Sequence, residues 1–312
     1  MKFFRILLCF LLTLSCATNT WAGVASDPLK SSLAAKTLGM GGGLAMGGDS
    51  LPFENPTQFI SSQGRLTLQS TTLLGDIQQN LFTYSFPNAS QQDQWGLSLL
   101  YVGVSNLLGT SLDDNGQVNF SATNPFSYDQ RVFVLSHARQ LTEFVRLGAN
   151  LKYFTQQLEG SGNGSGFGLD VGATLSDDQG NQLSLMHRNA FLAKSIVWTT
   201  GSTDTLESYS QFALTQSLIL FEHPLGLLLG LDWESHGLPL HVGLSWKPRD
   251  ILTLRGGIDQ SVGASGGGTV LETYLTMGLG LAVENFTFDY AYHPYAFSAL
   301  DSHVFSVSYA FN

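Results

Sequence analysis

The chain has 312 residues, a formal net charge of −10, a charged share of only 12 % and 34 glycines. That charged share is about half of what ordinary soluble domains carry. The acidic balance excludes a nucleic-acid-binding protein, which needs a basic face. The content of 43 % hydrophobic and 12 % aromatic residues excludes a disordered chain. Such a composition is typical of a β-barrel, in which apolar residues are interleaved with small polar ones.

The first 22 residues have the pattern of an export signal. Lys2 and Arg5 precede the apolar run 6–12, and small residues stand at the −3 and −1 positions of a cleavage site after Ala22. A membrane anchor needs about 20 apolar residues, and this run is far shorter. We therefore predict a signal peptide over residues 1–22 that is removed on export.

Both cysteines of the chain, Cys9 and Cys16, lie within this signal. The mature protein is thus predicted to have no disulfides, no thiolate metal site and no cysteine nucleophile. The longest apolar run that remains, residues 225–231, is too short for a transmembrane helix. The mature chain is expected to be periplasmic, secreted, or inserted in an outer membrane as a barrel.

A period of two dominates the sequence from residue 65 onward. Apolar side chains occupy alternate positions in four clear examples, residues 167–175, 240–246, 286–292 and 305–311. This alternation predicts β-strands with one apolar and one polar face. A soluble β-sandwich and a membrane barrel both contain such strands, so length, number and connections must distinguish the two.

We predict fourteen strands, most of them near the 9–11 residues that a tilted strand needs to cross a bilayer. Their number is even, as bacterial single-chain barrels require. The predicted strands are 65–74, 80–86, 94–103, 128–137, 146–156, 166–175, 181–189, 207–216, 225–234, 240–248, 252–260, 272–283, 286–293 and 301–311.

The predicted connections alternate between short and long. Short turns include residues 176–180, 249–251 and 284–285, and the longer loops, rich in Gly, Ser and Asn, are 104–127, 157–165, 190–206 and 261–271. Short turns on the periplasmic side and long loops outside are the pattern of a transmembrane barrel. We therefore favour an all-β, 14-stranded antiparallel transmembrane β-barrel over residues 65–312, with a soluble all-β protein as the alternative.

The two sets of alternating positions in each strand predict which side chains face outward and which face the lumen. Aromatic residues near strand ends on the apolar register are expected to face lipid at the interfaces: Trp95, Tyr101, Tyr153, Trp233, Trp246, Tyr292 and Phe311. The other register carries charges of both signs: Arg146, Lys152, Asp170, Arg188, Asp232, Glu234, His241, Lys247, Arg255, Asp259 and Asp289. We expect these side chains to form a polar lumen braced by ion pairs. A catalytic interpretation has no spaced motif behind it, so we predict no enzyme, no cofactor and no metal.

Residues 23–64 precede the barrel and do not alternate. Their glycines permit close backbone approach or positive φ, and Asn55-Pro56 is a turn signal. A nucleotide-binding loop is excluded because the G-x-x-x-x-G-K-[ST] lysine is missing and no strand precedes the glycines. A barrel of this size encloses a lumen, so we predict a plug segment within it. The motif residues of this plug are Gly39, Met40, Gly41, Gly42, Asp49, Asn55 and Pro56.

This segment resembles the opening of the PorV/PorQ-like branch of the FadL-type outer-membrane proteins, which reads "ARALGMGGAFVALADDASAVYWNPAGL". Gly39-Met40-Gly41-Gly42, Asp49 and Asn55-Pro56 match that pattern, whereas Gly48 and Thr57 depart from it. Later strands resemble the family as well, namely those around Asn150-Leu151-Lys152, Asp170-Val171-Gly172, Arg188-Asn189, Leu254-Arg255 and Asp289-Tyr290-Ala291-Tyr292.

The resemblance implies a 14-stranded barrel with its N-terminal segment in the lumen, and it implies two different functions. In FadL-type members the segment gates the passage of hydrophobic molecules such as fatty acids. In PorV-type members the barrel serves type IX secretion and binds exported proteins. For passage, apolar loop residues are candidates for ligand capture at the outer mouth: Leu107, Leu108, Phe120, Phe126, Phe191 and Leu192.

The expected location is the outer membrane of a Gram-negative bacterium. The expected partners are outer-membrane lipid and either a hydrophobic ligand or exported and envelope proteins, with no nucleic acid. The residues do not separate passage from secretion.

Overall fold

The computed structural model describes residues 24–25, 27–30, 33–46, 50–59, 61–73, 77–86, 92–112, 117–160, 162–191, 195–265, 268–294 and 301–311. The predicted signal peptide, Asp49 and Leu192 lie outside these residues. Among the described residues, no helix has both the length and the apolar character needed to cross a membrane.

The described residues form one short helix, α1 (Ala35–Leu38), and seventeen strands. The strands are β1 (Val24–Ala25), β2 (Gly64–Leu73), β3 (Ile77–Ser85), β4 (Asp93–Leu112), β5 (Val118–Thr142), β6 (Val145–Leu158), β7 (Gly162–Ser176), β8 (Gln182–Phe191), β9 (Ser195–Trp198), β10 (Thr203–Leu206), β11 (Tyr209–Leu220), β12 (His223–Trp233), β13 (Leu240–Arg249), β14 (Leu252–Ser265), β15 (Gly268–Val283), β16 (Phe286–His293) and β17 (Ser302–Phe311).

Fourteen of these strands, β2–β8 and β11–β17, close into a barrel. Each pairs antiparallel with the next along the chain, and β8 pairs with β11 from Arg188↔Tyr209 to Gln182↔Thr215. The ring closes where β17 pairs with β2, from His303↔Thr72 to Phe311↔Gly64. The prediction of an all-β, 14-stranded antiparallel barrel is confirmed, and each predicted strand corresponds to one strand of the ring.

The alternation seen in the sequence becomes the two faces of this wall. Along β3, Gln79, Leu81, Thr83 and Ser85 are buried, whereas the residues between them are exposed or half-buried. Many large apolar side chains are exposed on the outward register, from Leu68 of β2 to Phe311 of β17, which is the pattern of a transmembrane barrel. Trp95, Tyr101, Tyr153, Trp233, Trp246, Tyr292 and Phe311 all lie on the outward register.

The two ends of the barrel differ. One end, here named the short-turn end, carries the connections 143–144, 177–181, 221–222, 250–251 and 284–285. At the opposite, projecting end the ladder between β4 and β5 continues as far as Leu112↔Val118, beyond the rows shared with β3. β2 begins at Gly64 at the short-turn end, so the chain enters the barrel from that side.

Three predicted loops are wrong. Most of residues 104–127, 157–165 and 261–271 continue the strands of the projecting hairpins instead. Their polar and glycine-rich composition predicts a loop if every strand is assumed to have one buried, apolar face. A hairpin with water on both faces, however, needs no apolar register and keeps its backbone hydrogen bonds.

The fourth predicted loop, residues 190–206, contains strands β9 and β10. The two strands pair with each other, β9 also pairs with β7, and β10 pairs in parallel with β1. This hairpin therefore links the projecting end of the wall to the start of the N-terminal segment.

Candidate functional site

The described residues between 27 and 59, here named the lumenal segment, lie inside the barrel. Inward side chains from opposite sides of the wall hold their backbone. Asn150 on β6 donates to the carbonyl of Phe53 over 2.9 Å, and Gln69 on β2 donates to the carbonyl of Leu33 over 2.6 Å. The segment runs from β1, near the projecting end, towards Gly64 at the short-turn end.

One side of the lumenal segment lies flush against a row of wall glycines, here named the glycine seam. The close pairs are Gly243 of β13 with Met40, Gly257 of β14 with Gly41, and Gly278 of β15 with Gly39. A Cβ on Gly257 would lie 2.7 Å from the Cα of Gly41 and nearer still to its nitrogen. Gly41 itself has φ +87°, and its own Cβ would lie 2.6 Å from two strand carbonyls. Backbone meets backbone here, and side chains on either surface would separate them.

A second contact is a buried cluster of alternating charges. The Lys152 ammonium lies 3.1 Å from Asp27 Oδ2 and 2.8 Å from Asp170 Oδ1. Arg188 lies 3.2 Å from Asp170 Oδ2 and donates to the carbonyl of Phe53 over 2.9 Å. All four charged side chains are almost completely buried. Two cations and two anions balance, as buried charges must.

This cluster ties the barrel to the lumenal segment through Asp27. Lys152, Asp170 and Arg188 were assigned to the lumen from the sequence, and the structure places them together on β6, β7 and β8. Asp27 was not singled out, because it lies in a segment without periodicity. Its only sequence signal is a carboxylate in a stretch expected to enter a closed lumen.

Glu54 organises the lumenal segment from within. Its Oε1 accepts the backbone N–H groups of Leu33 and Ala34 at 3.1 and 2.9 Å, and its Oε2 accepts the Thr37 hydroxyl at 2.8 Å. The carboxylate therefore lies at the N-terminus of α1, where Gln69 Oε1 also accepts the backbone N–H of Ala35 at 3.1 Å. Sequence reasoning missed this residue as well.

The predicted Asn55-Pro56 motif forms a compact turn beside the wall. Asn55 donates to the carbonyl of Ala45 over 2.8 Å and accepts the Thr57 hydroxyl at 2.7 Å. Pro56 packs on Gly148 of β6, where an added Cβ would lie 2.8 Å from the proline Cβ. Thr57, which departs from the family pattern, also shares a hydrogen bond of 2.5 Å with the Thr174 hydroxyl of the wall.

A second polar cluster lies near the projecting end. His241 Nδ1 is 2.8 Å from Asp259 Oδ1 and 3.0 Å from the carbonyl of Gly41, and its Nε2 is 3.5 Å from Asp232. His293 Nε2 contacts the other oxygen of Asp259 at 2.7 Å. These side chains line a cavity of about 240 Å³ between the lumenal segment and strands β12–β16. No group of three or more metal-ligating side chains among the described residues is arranged to hold a metal ion.

Three further predicted lumen positions differ in their partners. Arg255 and Asp289 form a buried ion pair of 2.6 Å between β14 and β16. Arg146 is on the inward register of β6 and, among the described residues, has no ion pair. The predicted polar residues thus form three groups and one isolated guanidinium, and Gln211 connects two of the groups by hydrogen bonds to Arg188 and Asp232. Glu234 follows β12 and contacts Lys30, whereas Lys247 lies at the short-turn end, 3.6 Å from Asp250.

The opposite side of the lumen is apolar, which the sequence analysis did not anticipate. A buried cluster, here named the apolar cluster, joins the lumenal segment to the inner faces of β3–β6 and to the β9–β10 hairpin. It consists of Leu29, Leu33, Ala34, Leu51, Phe53, Leu81, Leu100, Val132, Val134, Phe154, Ile196 and Leu206, with Val102 and Trp198 packed against it.

The expected polar lumen braced by ion pairs is therefore found on only one side. On β4 and β5 both registers are apolar, as in residues 99–102 and 132–135, because one face forms the exposed apolar outside of the barrel and the other contacts the apolar cluster. An uninterrupted apolar run is the sequence signal for such a strand buried on two faces.

Of the apolar residues expected to capture a ligand, Leu107 on β4 and Phe126 on β5 are cross-strand partners in the projecting hairpin, and Leu108 is next to Leu107 on β4. The β9–β10 hairpin supplies a different apolar surface. Ile196, Trp198 and Leu206 cover the end of the apolar cluster, and Trp198 donates its indole N–H to Asp204 over 2.7 Å.

Lys30 links the start of the lumenal segment to the rim of the wall. Its ammonium lies 2.8 Å from Glu207 and 3.0 Å from Glu234. Burial lowers the pKa of Lys30, but the two carboxylates outweigh burial and raise it above its ordinary value. Burial acts to raise the pKa of Glu207, yet hydrogen bonds from Lys30 and Ser235 bring it below its ordinary value. Burial raises the pKa of Glu234.

No protein-family model matches the sequence, and no curated protein matches it. Several solved structures do match the chain. The toluene transporter TbuX of Ralstonia pickettii is 12 % identical with a TM-score of 0.61, over 90 % of this chain and 99 % of that one. A Pseudomonas aeruginosa FadL homologue is 12 % identical with a TM-score of 0.55, over 93 % and 99 %.

The Pseudomonas putida toluene transporter TodX is also 12 % identical, with a TM-score of 0.52 over 93 % of this chain and 98 % of that one. The alignments cover nearly all of both chains, so the likeness extends over the whole architecture. At this identity it concerns the fold. The chain therefore shares its barrel fold with these transporter structures.

Proposed function

We propose that this protein passes hydrophobic small molecules across the outer membrane of a Gram-negative bacterium, with the lumenal segment as the plug of the pore. In this orientation the short-turn end faces the periplasm and the projecting end faces outside. The apolar cluster carries the proposal, because a polar lumen alone offers nothing to a hydrophobic solute.

The apolar cluster provides a continuous surface from the outer cover to the middle of the barrel. Ile196 and Leu206 form its outer end, and Leu100 and Val134 line the wall further in. A hydrophobic molecule leaves water favourably for such a lining. Leu33 and Phe53 of the lumenal segment fill the same space, so passage requires these side chains to give way.

The charged clusters have the complementary role of holding the segment. Lys152 and Arg188 contact its Asp27 and Phe53 on one side, and the glycine seam contacts it on another. We propose that these polar groups position the plug and have no catalytic role. Transporters of toluene with the same barrel fold support a hydrophobic aromatic ligand.

Uptake of toluene into vesicles tests this function. Vesicles that contain the protein are expected to take up toluene faster than empty vesicles. The variants Val132→Thr and Val134→Thr place hydroxyls in the apolar cluster and should lower the protein-dependent rate roughly fivefold or more, because a buried hydroxyl costs about 1–3 kcal/mol. Val242→Thr, on the exposed outer face of β13, is the matched control and should leave the rate unchanged. Equal rates with and without the protein would refute the proposal.

A secretion component that binds exported proteins is the second candidate. The PorV/PorQ-like motif and the projecting β4–β5 hairpin, which offers a surface beyond the apolar belt, favour it. This candidate predicts stable association with other envelope proteins in the native host and no toluene flux. The vesicle experiment therefore separates the two candidates.

A further inference from the structure

The outer wall carries a row that contains short polar side chains. Across five adjacent strands, the paired positions are Phe305, Ser70, Asn80, Tyr101 and Arg131. All of them are on the outward register, and the Ser70 hydroxyl donates to Asn80 Oδ1 over 2.9 Å. Two short polar side chains thus stand between two aromatic ones.

This row marks the outer border of the apolar belt. One step towards the short-turn end, the outward residues are Phe82, Leu99 and Phe133. One step towards the projecting end they are polar or small, with Gln78 on β3 and Asp129 on β5. The row therefore lies at the depth at which lipid headgroups meet acyl chains.

Ser70 and Asn80 leave a groove in the wall because their side chains are short. The groove has a volume of about 490 Å³, within the range of small-molecule pockets. Its sides are apolar and are formed by Leu68, Phe82, Leu99, Phe305 and Val307. It runs below the polar row, on the side of the acyl chains.

Hydrogen-bond donors lie in the polar row that borders this groove. The Arg131 guanidinium lies 5.9 Å from the centre of the Tyr101 ring, and its side chain is half exposed. The Tyr101 hydroxyl donates to Asp129 over 2.7 Å, and the other oxygen of Asp129 is 3.9 Å from Arg131. Tyr101 lines the groove, so the guanidinium packed on its ring lies next to the groove.

We propose that this groove binds one phosphorylated, multiply acylated lipid of the outer leaflet. An acyl chain lies between Phe82 and Phe305, and a phosphate accepts hydrogen bonds from Arg131 and the Asn80 amide. Arginine binds phosphate through paired, charge-assisted hydrogen bonds. The apolar groove below supplies the surface for the chain. This lipid site does not depend on the passage of any solute through the lumen.

Native mass spectrometry of the purified protein in detergent tests the proposal. The probes are bisphosphorylated lipid A, dephosphorylated lipid A and phosphatidylethanolamine, added in equal amounts. We expect the wild type to retain bisphosphorylated lipid A about tenfold more than either other lipid, since hydrogen bonds to charged groups contribute about 1.5–3 kcal/mol. Arg131→Gln should abolish this preference.

Arg139→Gln is the matched control. Arg139 is on the same strand and face, eight residues further and about 27 Å away, in the opposite half of the belt. Its replacement should leave the retention unchanged. In a second variant, Ser70→Leu with Asn80→Leu fills the groove and should prevent lipid A binding although Arg131 is intact. Heat-dependent gel mobility checks that each variant is folded.

The proposal is overturned if the wild type has no preference for the phosphorylated lipid. It is also overturned if Arg131→Gln retains the preference, or if Arg139→Gln lowers it equally, which would indicate a general effect of charge.

Discussion

Replacing Gly257 with alanine adds one methyl group between the wall and the lumenal segment. The new Cβ would lie 2.7 Å from the Cα of Gly41 and nearer to its nitrogen, where ordinary contact begins at 3.4 Å. Both neighbours are backbone, so no side-chain rotation relieves the clash. The segment must therefore move away from β14 by about 1 Å, which also disturbs the contact between His241 and the carbonyl of Gly41.

The expected magnitude follows from the energy of overpacking. Insertion of one extra carbon into a tight contact costs about 1–3 kcal/mol. If the clash exists only when the segment lies against the wall, the ratio of molecules with a displaced segment to molecules with a seated segment rises about 5–150-fold. If the segment is the plug proposed above, the passage of small polar solutes should rise by the same factor.

Single-channel conductance in planar bilayers, together with leakage of a small sugar from vesicles, measures this effect. Gly256→Ala is the matched control, because its Cβ would point outward with its nearest neighbour at 3.9 Å. The control should behave as the wild type. Equal conductance and leakage in all three proteins would refute the idea that the glycine seam keeps the segment seated.

Three further predictions concern the anchors of the segment and the stability of the barrel. Lys152→Met leaves two buried carboxylates without their ammonium and should lower the free energy of unfolding by about 3–5 kcal/mol, measured by urea titration of the purified protein. The ion pair of Lys30 and Glu207 should be complete between about pH 5 and pH 10, so leakage should rise as the pH falls through the lowered pKa of Glu207, or rises through the raised pKa of Lys30. Phe221→Asn with Glu222→Gly should raise the midpoint of thermal unfolding by several degrees, because both residues have positive φ in a two-residue turn that favours Asn-Gly.

Each of these has a control within the chain. Lys247→Met removes an exposed ion pair of 3.6 Å and should change stability by at most about 1 kcal/mol. Lys30→Met should make leakage insensitive to pH as the pH falls through the lowered pKa of Glu207. An unchanged pH response in that variant, or a thermal midpoint lowered by the turn replacement, would contradict the corresponding argument.

The strand number and the assignment of faces were predictable because a period of two is a local property. The assigned aromatics lie on the outward register, and most of the assigned charges lie on the inward one; Glu234 follows β12, and Lys247 is exposed at the short-turn end. Local sequence also explains the errors at the strand ends. Polar residues such as those of 104–127 form strands only because the partner strand projects equally far.

The arrangement inside the lumen depends on contacts between distant residues, and no periodicity reveals those. The glycines of the lumenal segment were noticed, but Gly243, Gly257 and Gly278 look like ordinary small residues of an alternating strand. Asp27 and Glu54 are informative only once their partners are known. The apolar cluster does have a local signal, the apolar runs of β4 and β5 that lack a polar register, but the sequence analysis did not use it.

The lumenal segment is joined covalently to the first strand of the wall, a few residues from Gly64. If the segment opens as proposed, it cannot diffuse away, and each opening is a reversible, unimolecular event. A short tether keeps the effective concentration of the segment at its seat near the millimolar range, so reclosure does not depend on how many copies the membrane contains. If a solute opens the lumen, the opening would therefore be brief. The lumenal segment of the same molecule would return to its seat and restore the permeability barrier.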